Sequence, residues 1–169
     1  ANQRTDDYGG SIKNRARLAL EVVRAVADEI GAGRTAIRLS PVTPANDIID
    51  DDPQQLFDYL LHHLAPLGLA YIHIIEGATG GPRELPERPF DYAALKAVYR
   101  SSGGKGAWMV NNGYDRDMAQ NAVAEGADIV AFGRPYIANP DLVERLQRGA
   151  PLNTPDRATF YGGGAQGYT

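Results

Sequence analysis

The chain contains no cysteine, so disulfides and thiolate metal sites are excluded. That absence is compatible with a cytosolic protein without establishing one. No apolar run approaches the ~18 residues of a membrane span. The opening residues lack the charged-then-apolar pattern of a signal peptide, and the expectation is a cytoplasmic protein. Basic stripes are also missing. Lys and Arg number 17 against 21 Asp and Glu, a net charge of −4, which disfavours nucleic-acid partners. There is no low-complexity segment and no clear linker, so residues 1–169 read as one domain or a piece of one.

What is present is a chain of 169 residues, 43% hydrophobic, with 19 glycines and 11 prolines that punctuate periodic segments. It opens ANQRTDDYGGS and closes FYGGGAQGYT. Both ends read as interior loops of something longer, and a fragment or processed chain is expected.

Ser11 is suited to cap a helix running to Ile30, with Ile12, Ala16, Ala19, Val23, Val26 and Ile30 at helical spacing and Gly31 as its stop. TAIRLSP, 35–41, is a short strand. Pro53 to Leu67 is a second helix and LAYIHIIEG, 69–77, a second strand. Tyr92 to Arg100 is helical, and AWMVNNG, 107–113, is a third strand. Arg116 to Glu125 is a helix capped by Asp115, DIVAFG is a fourth strand, and Asp141 to Arg148 a last helix. The strands read as apolar on both faces, the pattern of parallel strands covered by helices. Strict strand–helix alternation gives an open doubly wound sheet or a barrel. No Gly-x-Gly-x-x-Gly turn follows a strand, which weakens the dinucleotide fold. Four units match about half of a ~250-residue (β/α)₈ barrel. The expected fold is α/β, the C-terminal half of a TIM barrel.

Ligands of parallel α/β folds sit at the carboxyl ends of strands. Arg38 is costly inside an apolar strand unless paired, so it is either a barrel-floor salt bridge or a cofactor contact. His73 reads as a satisfied core residue. Glu76 is a catalytic candidate or the structural partner of a barrel arginine. His62 and His63 read as packing and surface residues. Asn111, Asn112 and Gly113 precede a helix whose free N–H groups would attract an anion. Gly133 lets a ligand approach the backbone, and Arg134 offers fork-shaped donors to phosphate. In a barrel these last two loops build a recurring phosphate site. Asp50, Asp51 and Asp52 form an acid run that reads as solvated rather than metal-binding. No nucleophile–base pair stands out, and no residue is a convincing proton donor.

NQRTDDYGGSIKNRARL, AIRLSP, NNGYD, AFGRPYIANPDL and FYGGGAQGYT together resemble the Old Yellow Enzyme family, in the branch of bacterial N-ethylmaleimide and xenobiotic reductases. The resemblance covers almost the whole chain in order. It implies an FMN-containing (β/α)₈ barrel that takes hydride from NADPH and passes it to the β-carbon of an activated alkene, an α,β-unsaturated carbonyl or nitro compound. By motif, Arg38 would contact the flavin N1–C2=O edge. Asn112 and Gly113 would hold the FMN phosphate through backbone N–H groups, with Gly133 and Arg134 completing that site. Asn46 would line the substrate pocket and Tyr161 would come back over the flavin ring. The chain departs at NNGYD, where many relatives have Gly in place of Asn112.

The family's substrate-activating His pair, or His–Asn pair, and its proton-donating Tyr lie before NQRTDDYGG, so the resemblance places no catalytic acid on this chain. It implies half of an ene reductase, completed by the N-terminal half of the barrel as a second chain. Two other readings stand beside it: a non-catalytic half-barrel that binds flavin or phosphate, and another phosphate-binding barrel enzyme. The second is opposed by the lack of a catalytic Lys or Asp at the strand ends.

Overall fold

The computed structural model describes residues 2–45, 48–162 and 164–166. Four strands, β1 (Ala36–Leu39), β2 (Tyr71–Ile75), β3 (Ala107–Asn111) and β4 (Ile129–Ala131), form one sheet in the order β1-β2-β3-β4. All neighbours are parallel, with Arg38 opposite His73 and His73 opposite Met109. Sequential order with no reversal is the topology of consecutive barrel units, since a doubly wound sheet reverses direction at a switch point.

The helices start where side chains accept their orphan N–H groups. Ser11 opens α1 (Ile12–Ile30) by accepting from Asn14 N at 3.3 Å. Asp52 opens α2 (Pro53–Leu64), with Pro53 in the first turn. Asp91 and Asp115 do the same for α3 (Tyr92–Ser101) and α4 (Arg116–Ala124). Gly31 at φ 93° ends α1, a conformation that β-carbon-bearing residues avoid. The second helix is shorter than the spacing predicts. Its last turn, Ala65–Leu67, tightens to 3₁₀ around Pro66, which has no N–H to continue the α ladder.

Helices α1 to α3 pack on one side of the sheet. Leu20 and Val23 of α1, Leu61 and Leu64 of α2, and Leu95 and Tyr99 of α3 close over Ile72, Ile74, Trp108 and Val110. Each fully buried leucine contributes about 1.5–3 kcal/mol relative to exposure. The opposite face corrects the expectation of strands apolar on both sides. Burial alternates along β2 and β3, and Arg38, His73, Met109 and Asn111 occupy the other face, where no second layer is present among the described residues. The ring of Tyr99 lies 5.9 Å from that of Trp108. Gly106 has to be small there, because a Cβ would sit 2.2 Å from Leu69 O.

After β4 the chain forms a five-residue helix, α5 (Arg134–Ala138), which periodicity misses because it is barely one turn. The last helix, α6 (Leu142–Arg148), follows Asp141. Asn139 between them is fully buried and ties the two ends of this region together. Its Nδ2 donates to Pro135 O and Asn153 O, and its Oδ1 accepts from Asn153 N at 2.7 Å.

Candidate functional site

Parallel strands deliver their four carboxyl ends to one edge, so the loops after β1, β2, β3 and β4 are neighbours. Asn111 pairs with Ala131 in register. Gly113 and Gly133 therefore stand two residues beyond the same rung on adjacent strands. Both are exposed, and a Cβ added to either would meet nothing within 4 Å. The backbone at these two positions is open to close approach.

Arg134 begins α5, whose first turn has no side-chain cap. Its Nη2 donates to Gly80 O at 2.5 Å, drawing the loop after β2 onto the loop after β4. Sequence reasoning assigned nothing to Gly80; the Gly80–Gly81 pair signalled only a turn. At α4 the expected cap is present: Asp115 Oδ1 accepts from Met118 N at 2.8 Å.

Asn112 sits at φ 126° with its side chain buried. That backbone conformation explains why glycine suits this position. The side chain is separately engaged, for Nδ2 donates to Glu76 O at 2.6 Å and to Ala78 O at 2.9 Å.

Glu76 is the partner of an arginine, Arg83. Its Oε2 accepts from Arg83 Nη2 at 2.5 Å and from the Tyr114 hydroxyl at 2.7 Å. The Arg83 guanidinium lies 4.0 Å from the Tyr114 ring centre, a cation–π distance. Burial pushes the Tyr114 phenol well above its ordinary pKa; the hydrogen bond to Glu76 and that carboxylate's charge add to the rise, and Arg83 opposes it. Tyr114 thus remains a donor. Arg83 and Tyr114 were missed in the sequence, although Tyr114 lies inside the NNGYD motif. Arg83, together with Tyr92, Gly113 and Met118, lines a cleft of about 960 Å³.

Arg38 is exposed on the open sheet face, 3.5 Å from Asn111 Oδ1. This is a long contact to a neutral amide rather than the floor salt bridge allowed above. His73 beside it is not a satisfied core residue, because its buried Nε2 has no hydrogen-bond partner among the described residues. Burial, then the charge of Arg38, lowers its pKa. Tyr161 stands 91% exposed, with its ring edge-on to Phe160 at 6.0 Å. Asn46 lies outside the described residues. In the acid run, Asp50 pairs with Arg15 at 3.1 Å and Asp52 caps α2. No helix among the described residues is long and apolar enough to cross a membrane.

Comparison with known proteins gives this edge of the sheet a lineage. Residues 1–153 match the NADH:flavin oxidoreductase / NADH oxidase family. The chain is 43% identical over 164 residues to 12-oxophytodienoate reductase 1 of Oryza sativa subsp. japonica, covering 95% of this chain and 42% of that one. Among solved structures, morphinone reductase superposes with a TM-score of 0.85 at 44% identity, over 99% of this chain and 43% of its own. The old yellow enzyme homologue from Zymomonas mobilis superposes with a TM-score of 0.89 at 36% identity, over 99% of this chain and 46% of its own. The chain spans about half the length of the relatives it matches, and its four parallel strands are half of their barrel. On sequence and fold together, the chain belongs to the NADH:flavin oxidoreductase / NADH oxidase family, that of Old Yellow Enzyme.

Proposed function

We propose that this chain supplies the phosphate and flavin-edge contacts of an FMN-dependent ene reductase that oxidises NADPH and reduces α,β-unsaturated carbonyl or nitro compounds. The observation that carries the reading is the pair of open glycines, Gly113 and Gly133, each two residues beyond the last rung of adjacent strands, beside the Arg134 cation. Two uncovered backbone segments and a guanidinium fit a phosphate dianion. The short helix after β4 is the element that phosphate-binding barrels place there.

When bound, FMN supplies hydride transfer between nicotinamide and alkene. The chain's own residues hold and tune it. Backbone N–H groups of Gly113 and Gly133 and the guanidinium of Arg134 grip the phosphate. Asn112 enters through its backbone N–H alone, since its side chain is committed to Glu76 and Ala78. Arg38 presents a fixed cation on the open face, where it favours negative charge on the ring edge. Asn46 and Tyr161 complete the substrate side in this reading. No proton donor is assigned here, and the Tyr114 hydroxyl is given to Glu76.

The remaining half of the barrel is supplied, in this proposal, by the N-terminal half of the same fold as a second chain. Support comes from the sheet order, which leaves β1 and β4 at the edges, and from Leu18, Val22 and Val26 exposed on α1. Relatives named for 12-oxophytodienoate and morphinone reduction point to conjugated carbonyl substrates. The test is to assemble this chain with a matching N-terminal half, then read flavin absorbance and NADPH-dependent loss of 2-cyclohexenone. A folded assembly without flavin overturns the proposal; flavin binding without turnover favours the non-catalytic module.

A further inference from the structure

We infer that Glu76 is the positioning residue of the phosphate turn Asn112–Gly113–Tyr114, a role that rests on the assignment of Gly113 and Arg134 to phosphate made above. Glu76 stands just past β2, one strand away from that turn, and holds the turn and the β3 residue before it through three separate groups. Its N–H donates to Asn111 O at 3.0 Å. Its carbonyl accepts from Asn112 Nδ2 at 2.6 Å. Its carboxylate accepts from the Tyr114 hydroxyl at 2.7 Å. Gly113 thus has its predecessor and its successor both tied to one residue.

That double tether matters because of the backbone between the ties. Asn112 and Gly113 follow one another at φ 126° and 67°. Gly113 touches nothing with a side chain of its own, and glycine leaves an N–H free to swing. A donor aimed at an anion works best when its orientation is fixed beforehand. The carboxylate of Glu76 supplies that constraint through Tyr114, which is almost fully buried.

Arg83 explains why an acid occupies this place rather than an amide. Its Nη2 donates both to Glu76 and, at 2.9 Å, to the Tyr114 oxygen. Its Nε is buried without a hydrogen-bond partner among the described residues. Without the carboxylate, that cation would lack its counter-charge beside an aromatic ring. Arg83 belongs to the loop whose Gly80 O receives Arg134. The Arg83–Glu76 pair holds Tyr114 of the loop after β3 to the loop after β2, and the separate Arg134–Gly80 bond adds the loop after β4. Glu76→Gln keeps both backbone bonds and an acceptor oxygen but removes the negative charge that strengthens the bonds from Tyr114 and Arg83.

The experiment compares FMN with riboflavin, which lacks the phosphate, as ligands of the completed barrel, by quenching of flavin fluorescence. Glu76→Gln should weaken FMN about tenfold and leave riboflavin within about twofold. Tyr114→Phe, nearly isosteric, should move FMN in the same direction and carries the test if Glu76→Gln does not fold. Equal losses for FMN and riboflavin would mean a merely structural role, and unchanged FMN affinity would mean none; either overturns the inference. Arg134→Ala separates the premise: if it leaves the ratio of FMN to riboflavin affinity unchanged, the phosphate assignment fails and this inference falls with it. If Arg134→Ala abolishes the ratio while Glu76→Gln and Tyr114→Phe preserve it, the phosphate site stands and the role of Glu76 is refuted.

Discussion

The Tyr114 hydroxyl donates to Glu76 Oε2 at 2.7 Å, joining the loop after the third strand to the end of the second. This bond bridges residues 38 apart in sequence, and Arg83 places its guanidinium over the same ring. Its consequences for stability can be read by titration.

Tyr114 should make the fold sensitive to alkali. Its pKa is raised in the folded chain, chiefly by burial and then by Glu76. Below about pH 10 both folded and unfolded chains keep the phenol protonated, and the contribution is fully present. Above that pH the unfolded chain releases a proton that the folded chain retains, so stability falls as pH rises. Tyr92 and Tyr99 shift the same way. Urea midpoints measured at pH 8 and pH 11 should therefore drop for the parent and drop less for Tyr114→Phe; equal drops would show that Tyr114 does not carry the effect.

On the acid side, His73 acts in the opposite sense. Burial and then Arg38 lower its pKa. Its contribution is present above about pH 6.5 and is lost as pH falls through the folded value, because the unfolded chain takes up the proton first. His63 is lowered too, and is the natural control. His73→Leu should flatten the loss of stability between about pH 7 and pH 5, whereas a parent-like slope in that variant would exclude His73 as its source.

At Asn112, backbone and side chain pull in different directions. The φ of 126° favours glycine, while the two bonds of Nδ2 favour asparagine. Asn112→Ala loses the bonds and keeps the strain, for an expected cost of about 2 kcal/mol. Asn112→Gly loses the same bonds but relieves the backbone, so it should cost about 1 kcal/mol less. Denaturant unfolding of both variants decides it; an alanine variant as stable as the glycine one would contradict the assignment.

Gly77 and Gly103 provide a matched pair. Both have positive φ, 67° and 94°. A Cβ on Gly77 would lie 2.2 Å from Arg83 O, whereas one on Gly103 would meet nothing within 4 Å. Gly103→Ala should cost about 1 kcal/mol from backbone conformation, and Gly77→Ala distinctly more, because main-chain atoms must also move. Equal shifts in midpoint would show that the loop 77–83 gives way without resistance.

Some of this was written in the chain itself. Ser11, Asp91 and Asp115 cap the helices they precede, since capping depends on residues three apart. Gly31 ends α1 for an equally local reason, and the apolar runs of β2 and β3 announce strands to be covered. The motif order also carried the family and the half-barrel. Tertiary structure decided the rest. His73 looks like a core residue until the sheet is seen to have helices on one side only among the described residues, where Arg38 is exposed and His73 Nε2 has no partner. The contacts of Glu76 with Tyr114 and of Arg134 with Gly80 span 38 and 54 residues, and no local pattern encodes them. The physical reason is that caps and periodicity are settled by neighbours along the chain, whereas a side-chain pairing across parallel strands is settled by register, which exists only once the sheet has formed.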